Sequence, residues 1–122
     1  MTCIFCEIQQ DRVVLERDLA YAIFDAFPVN PGHMLVIPKR HISGYFESTI
    51  EERVEMLNLI DEAKVIIDMQ FHLDGYNIGI NIGKVAGQTV MHLHIHIIPR
   101  YTGDVPNPKG GVRGVIQKKQ GY

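Results

Sequence analysis

The chain has 122 residues, 46% hydrophobic and 21% charged, with a net charge of −2, six histidines and two cysteines. A chain of this size hides roughly two-thirds of its unfolded surface in one core, which excludes a scaffold that depends on disulfides. Twelve Lys and Arg against 14 Asp and Glu exclude a basic surface for long nucleic acid, and no apolar run approaches the roughly 20 residues of a membrane helix.

Residues 1–7 have no basic flank and no apolar signal core, which predicts a cytoplasmic protein. They contain Cys3-Ile4-Phe5-Cys6, open to three readings: a redox dithiol, half of a zinc site, or two thiols packed as small apolar groups. A redox dithiol ordinarily follows a strand, and none precedes Cys3. Two thiolates need two further ligands to complete a tetrahedral zinc. Residues 12–17, 20–25 and 33–38 read as strands separated by Arg17-Asp18 and Asn30-Pro31-Gly32. Ser48 and Thr49, each followed three residues later by Glu51 and Glu52, are overlapping capping boxes that open a helix over 48–72. Val54, Leu57, Ile60, Ala63, Ile67 and Phe71 give it one apolar stripe, and Asp74-Gly75 turns the chain. Tyr76, Ile78, Ile80 and Ile82 then alternate with Asn77, Gly79 and Asn81 as a half-buried strand. Between 83 and 89, Gly83 and Gly87 permit a tight loop whose backbone N–H groups are expected to face an anion. A fifth strand follows over 90–98. The single domain, 1–122, thus has a core of about 3–101 and an irregular tail, 102–122, rich in Gly, Pro and Lys, suited to covering the site or a neighbouring subunit. One long helix, a short N-terminal helix or turn and about five mainly antiparallel strands make an α+β domain.

The chemistry concentrates in Met91-His92-Leu93-His94-Ile95-His96-Ile97-Ile98. Side chains alternate along a strand, so Met91, Leu93, Ile95 and Ile97 enter the core while His92, His94 and His96 stand in file on the other face. Three neighbouring imidazolium ions would repel, so at least one ring stays neutral and available as nucleophile or ligand. The competing readings are a solvated strand face and a catalytic zinc on the three strand histidines. That zinc would need carboxylates to orient its rings, and no Asp or Glu occurs from 77 to 102. Taken alone, His41 reads as a surface turn residue and His72 as a helix-end residue.

Together with Gly87-Gln88-Thr89-Val90 and Pro31-Gly32-His33-Met34-Leu35-Val36-Ile37-Pro38, the histidine run resembles the histidine triad (HIT) family of nucleotide hydrolases and transferases, over about residues 3–101. The resemblance implies the HIT-like fold, a homodimer, a purine nucleotide substrate and no organic cofactor. By it, His94 attacks the α-phosphorus and forms a nucleotidyl-histidine intermediate; His96 and His33 flank the phosphate; Gln88, Thr89 and Asn81 contact phosphate or leaving group; and Asp25 binds the ribose hydroxyls. Phe24, with Ile23 and Phe27, would lie near the base. Some branches also bind a structural zinc through a cysteine pair, a histidine after the Pro-Lys step and the first triad histidine, which here are Cys3, Cys6, His41 and His92. Asn81 and Asp25 match the phosphoramidase branch more closely than the dinucleoside polyphosphate hydrolases, whereas the tail lacks the phosphoramidases' Trp-containing terminus.

Overall fold

Residues 20–24 and 34–38 are apolar almost throughout because the strands they form, β2 (Ala20–Phe24) and β3 (Met34–Pro38), are covered on both faces. Ala20, Ala22, Met34 and Val36 face a long helix, while Tyr21, Ile23, Leu35 and Ile37 face the N-terminal segment at Phe5 and Ile8. The structure is a computed structural model that describes residues 3–121; Met1, Thr2 and Tyr122, part of the N-terminal segment and tail read above, lie outside the described residues. With β1 (Val13–Glu16), β4 (Gly75–Gly79) and β5 (Ile95–Arg100), the strands form one antiparallel sheet in the order β1-β2-β3-β5-β4. The expected α+β architecture is therefore the observed one. The helix α1 (Ile50–Gln70) carries the chain from β3 across one face to the far edge, and β5 then inserts between β3 and β4.

Helix α1 starts as its sequence predicts: the Thr49 hydroxyl accepts from the Glu52 amide and the Glu52 carboxylate accepts from the Thr49 amide. Its buried row differs from the expected stripe. Met56, Leu59, Ala63 and Ile67 are buried, whereas Val54 and Leu57 are 51% and 60% exposed. The inward row begins at Glu52, an acid buried because Arg40 forks onto its carboxylate at 2.8 and 3.0 Å. That charge in an otherwise apolar row hides the true face from a periodicity count.

Two strand boundaries shift. β4 stops at Gly79, where its register with His96 ends, so residues 80–82 run on as loop. β5 begins at Ile95 instead of residue 90; ahead of it the Leu93 amide donates to the Ile42 carbonyl at 2.7 Å. The alternation of sides nevertheless starts earlier, with Leu93 buried against α1 and His92 and His94 buried opposite. Met91, expected inside, is 38% exposed. The tail is also less irregular than expected. Asp104 accepts two bonds from Arg100, one from Asn30 and one from the Tyr101 amide, and the chain then makes 3-10 turns at Gly111–Val115 and Gln117–Lys119. Among the described residues no helix is long and apolar enough to cross a membrane.

Candidate active site and metal cluster

The sheet face opposite α1 carries the histidines. His94 lies between the rings of Phe5 and His96, each 5.0 Å away centroid to centroid. Its Nδ1–H donates to the carbonyl of His92 at 2.8 Å, so the neutral ring keeps its lone pair on Nε2. The sequence signals Phe5 only by its position inside the Cys-x-x-Cys run.

His33 and His96 form a relay of fixed direction. The Val29 amide donates to His33 Nδ1 at 3.1 Å, which puts the proton of neutral His33 on Nε2. That atom is 3.0 Å from His96 Nδ1; His96 accepts there and carries its own proton on Nε2. Burial lowers the His33 pKa, partly opposed by the Asp25 carboxylate. Burial, aided by the neighbouring His94 and His33, pushes His96 down to about 4. Both rings are thus neutral near pH 7. Asp25 Oδ2 lies 3.5 Å from His33 Nε2, so Asp25, His33 and His96 bring three potential metal ligands within 4.8 Å. A metal on His33 Nε2 would leave both nitrogens of that ring without a proton, because the Val29 amide already occupies the other lone pair. We therefore read the trio as a hydrogen-bond relay.

The four residues implied as zinc ligands do meet. Cys3 Sγ is 3.3 Å from His92 Nδ1, Cys6 Sγ is 3.3 Å from His41 Nδ1 and 3.5 Å from His92 Nδ1, and the two imidazole nitrogens are 3.1 Å apart. Ligands about 2.0–2.3 Å from one zinc stand roughly this far from each other. His92 Nε2–H donates to the Pro38 carbonyl at 2.7 Å, which turns the Nδ1 lone pair toward the cluster, as a metal ligand requires. This arrangement also removes the three-histidine metal reading: His92 Nδ1 faces the cysteines, His94 Nδ1 its own backbone and His96 Nδ1 His33.

Other expected site residues fall into two groups. Asn81 lines a cavity of about 390 Å³ with His33 and His96, and Thr89 is exposed on the 83–89 loop. Asp25 uses its Oδ1 to accept from the Phe27 amide at 2.9 Å, leaving Oδ2 by His33. Gln88, in contrast, is buried with its amide spent on the backbone: it accepts from the Gly83 amide and donates to the Ser43 and Val90 carbonyls. It braces the loop. Within the loop the Ala86, Gly87 and Gln88 amides bond to its own carbonyls, and Gly83 and Gly87 take the positive φ that the tight turn requires. Phe24 sits on the helix side against Phe71, ring centroids 6.4 Å apart. Of its two companions, Ile23 is buried on the histidine side, and Phe27 is 86% exposed.

The HIT domain family matches residues 7–103, which span the five strands, α1 and every histidine of the site. The chain belongs to the HIT domain family. A HIT-like protein of Methanocaldococcus jannaschii is 43% identical over 108 residues, 84% of this chain and 81% of that one. A bis(5′-adenosyl)-triphosphatase of Dictyostelium discoideum is 38% identical over 100 residues, 82% of this chain and 67% of the relative. The crystal structure of a Zn-bound histidine triad family protein from Mycobacterium smegmatis superposes with a TM-score of 0.76 at 35% identity, covering 88% and 81% of the two chains. In this HIT domain the three residues named for the family stand side by side, yet each faces a different partner: the cysteine cluster, the backbone and the relay.

Proposed function

We propose that this HIT domain is a nucleotide hydrolase or transferase that cleaves at the α-phosphate of a purine nucleotide derivative through a covalent intermediate on His94. The observation that carries the reading is the hydrogen bond from His94 Nδ1 to the His92 carbonyl, because it orients the ring so that Nε2 is the atom left for attack, beside a ring that offers an N–H. Nε2 attacks phosphorus, the bond from phosphorus to the leaving nitrogen or oxygen breaks, and the leaving group departs with the electron pair and takes up a proton from solvent. The nucleotidyl imidazolium so formed keeps its Nδ1–H on the His92 carbonyl. Water then attacks phosphorus, the P–N bond returns its pair to His94, and the water's protons pass to solvent. His96, backed by His33, supplies an Nε2–H to the charge on the phosphoryl oxygens. Asn81 and Thr89 add an amide and a hydroxyl. Asp25 holds the ribose hydroxyls through Oδ2. The Dictyostelium relative is a triphosphatase acting on a bis(5′-adenosyl) compound, which supports an adenine nucleotide substrate.

Cys3, Cys6, His41 and His92 fit zinc by donor type and spacing, and the Zn-bound mycobacterial relative supports that assignment. All four positions of a tetrahedral ion would be filled by protein, so the metal is structural. The family resemblance supports a homodimer. The test compares wild type with His94→Ala on adenosine 5′-phosphoramidate and diadenosine tetraphosphate. Wild type should turn over at least one of them, and the variant should lose about three orders of magnitude or more. Equal rates would remove His94 from the chemistry. Nucleotide binding with no turnover in wild type would leave a zinc-stabilised binding module.

A further inference from the structure

The Cys/His cluster is open to solvent on one side: Cys6 and His41 are exposed, Cys3 is half-buried and His92 alone is buried. Its two thiols belong to one turn, closed by the Cys6 amide on the Cys3 carbonyl at 3.1 Å, and their sulfur atoms lie within 4.8 Å of each other. Such a turn brings its first and fourth Cα atoms to within about 7 Å, close to the reach of a disulfide. The chain has no third cysteine, so each thiol has only the other as a partner within the molecule. The same turn touches the proposed nucleophile. Phe5, between the thiols, packs its ring on His94 at 5.0 Å centroid to centroid, and the Tyr21 hydroxyl donates to its carbonyl. Residues 3–9 form no strand or helix. The segment is held by that hydrogen bond, by Phe5 and Ile8 against the sheet, and by the cluster.

We infer that Cys3 and Cys6 are a peroxide-sensitive switch: their oxidation to a disulfide dismantles the metal site and loosens Phe5 from His94, so the active site is complete only while the pair is reduced. The inference rests on the proposed zinc ligands and on His94 as the nucleophile. The exposed Cys6 thiolate attacks one oxygen of hydrogen peroxide, the O–O bond breaks, and Cys6 becomes a sulfenic acid while hydroxide departs and takes a proton from solvent. The Cys3 thiolate then attacks the Cys6 sulfur and expels a second hydroxide, which solvent also protonates. The two thiolates have lost two electrons, and the peroxide has gained them and become two waters. Of the four ligands only His41 and His92 remain, too few to hold a tetrahedral structural ion. The turn between the thiols then keeps only the Tyr21 bond and its apolar contacts.

The experiment treats zinc-loaded wild type with hydrogen peroxide. It follows zinc with a chromogenic chelator, the Cys3–Cys6 bond by peptide mass, carbethoxylation of His94 by diethyl pyrocarbonate, and turnover of adenosine 5′-phosphoramidate. Zinc should leave in step with disulfide formation, His94 labelling should rise about threefold or more, and turnover should fall about tenfold or more. Tris(2-carboxyethyl)phosphine with added zinc should reverse all four changes, which separates the cysteine pair from oxidation of the exposed Met69 and Met91. Phe5→Ala should release zinc as wild type does but show no further rise in His94 labelling, since its imidazole is already uncovered. Zinc retained after oxidation, an intermolecular disulfide or a sulfinic acid in place of the Cys3–Cys6 bond, labelling and turnover unmoved by zinc release, or an equal rise in Phe5→Ala would each overturn the inference and leave the zinc ligands and the nucleophile standing. Wild type that takes up no zinc would overturn the zinc assignment and the switch together, and wild type inactive before treatment would overturn the reaction alone, with zinc release and labelling still deciding the switch.

Discussion

His94 donates its Nδ1–H to the carbonyl of His92, whose own Nδ1 faces the cysteines, so a single residue serves the Cys/His cluster with its ring and the proposed nucleophile with its backbone. Much of this was legible in the sequence, because alternation along an extended run forces His92, His94 and His96 onto one side. The relay was not, because its direction depends on the Val29 amide, a backbone donor with no side-chain signature. Gln88 shows the same limit: a polar loop residue reads alike whether its amide meets a phosphate or, as here, three backbone groups. Glu52 yields a prediction at this scale. Arg40 beside it, and then the bonds from Thr49, hold its carboxyl below the usual carboxylate range against the opposing effect of burial. A folded-state pKa below the unfolded value means that the stabilisation is complete above the unfolded value, about 4.3, and is lost as pH falls through the folded one. Glu52→Gln should cost about 1–2 kcal/mol at pH 7, allowing for the half-exposed Arg40, and thermal melts of the two proteins should converge as pH drops toward 3. A constant gap would contradict this account.

At the scale of elements, the five strands and α1 were legible, while their faces and ends were legible only in part. Helix α1 carries two apolar rows, and an acid at the head of the inward one makes the outward row look equally good to a period count. Substitution separates them. Leu59→Ala, at a fully buried position, should destabilise by about 2–5 kcal/mol, and Leu57→Ala, 60% exposed, by about 0.5 kcal/mol or less. Urea melts of both variants check the assignment, and similar losses would contradict it. The ends of β4 and β5 escaped prediction because pairing depends on which neighbour is present. Beyond Gly79 no ladder partner remains, and ahead of Ile95 the chain bonds to Ile42 in the segment that follows β3.

At the scale of the molecule, the Cys/His cluster joins the N-terminal segment, the end of β3 and the approach to β5, and Phe5 between the two cysteines rests on His94. On the proposed zinc assignment, removal of the metal should lower Tm by about 10 °C or more, and Cys3→Ser should lower Tm and metal content together, whereas His94→Ala should keep its metal. Metal analysis of the two purified variants reads this directly, and loss of metal from His94→Ala alone would reverse the division of roles. The near-neutral charge of the whole chain fits the proposed site, which would hold phosphate with imidazole, amide and hydroxyl donors and without clustered lysines. The central claim is that the nucleotidyl group passes through His94. Rapid quenching of wild type with excess adenosine 5′-phosphoramidate, followed by peptide mass spectrometry, should find one adenylate on the peptide containing His94 and none in His94→Ala; an adduct on another residue, or full turnover by the variant without one, would contradict it.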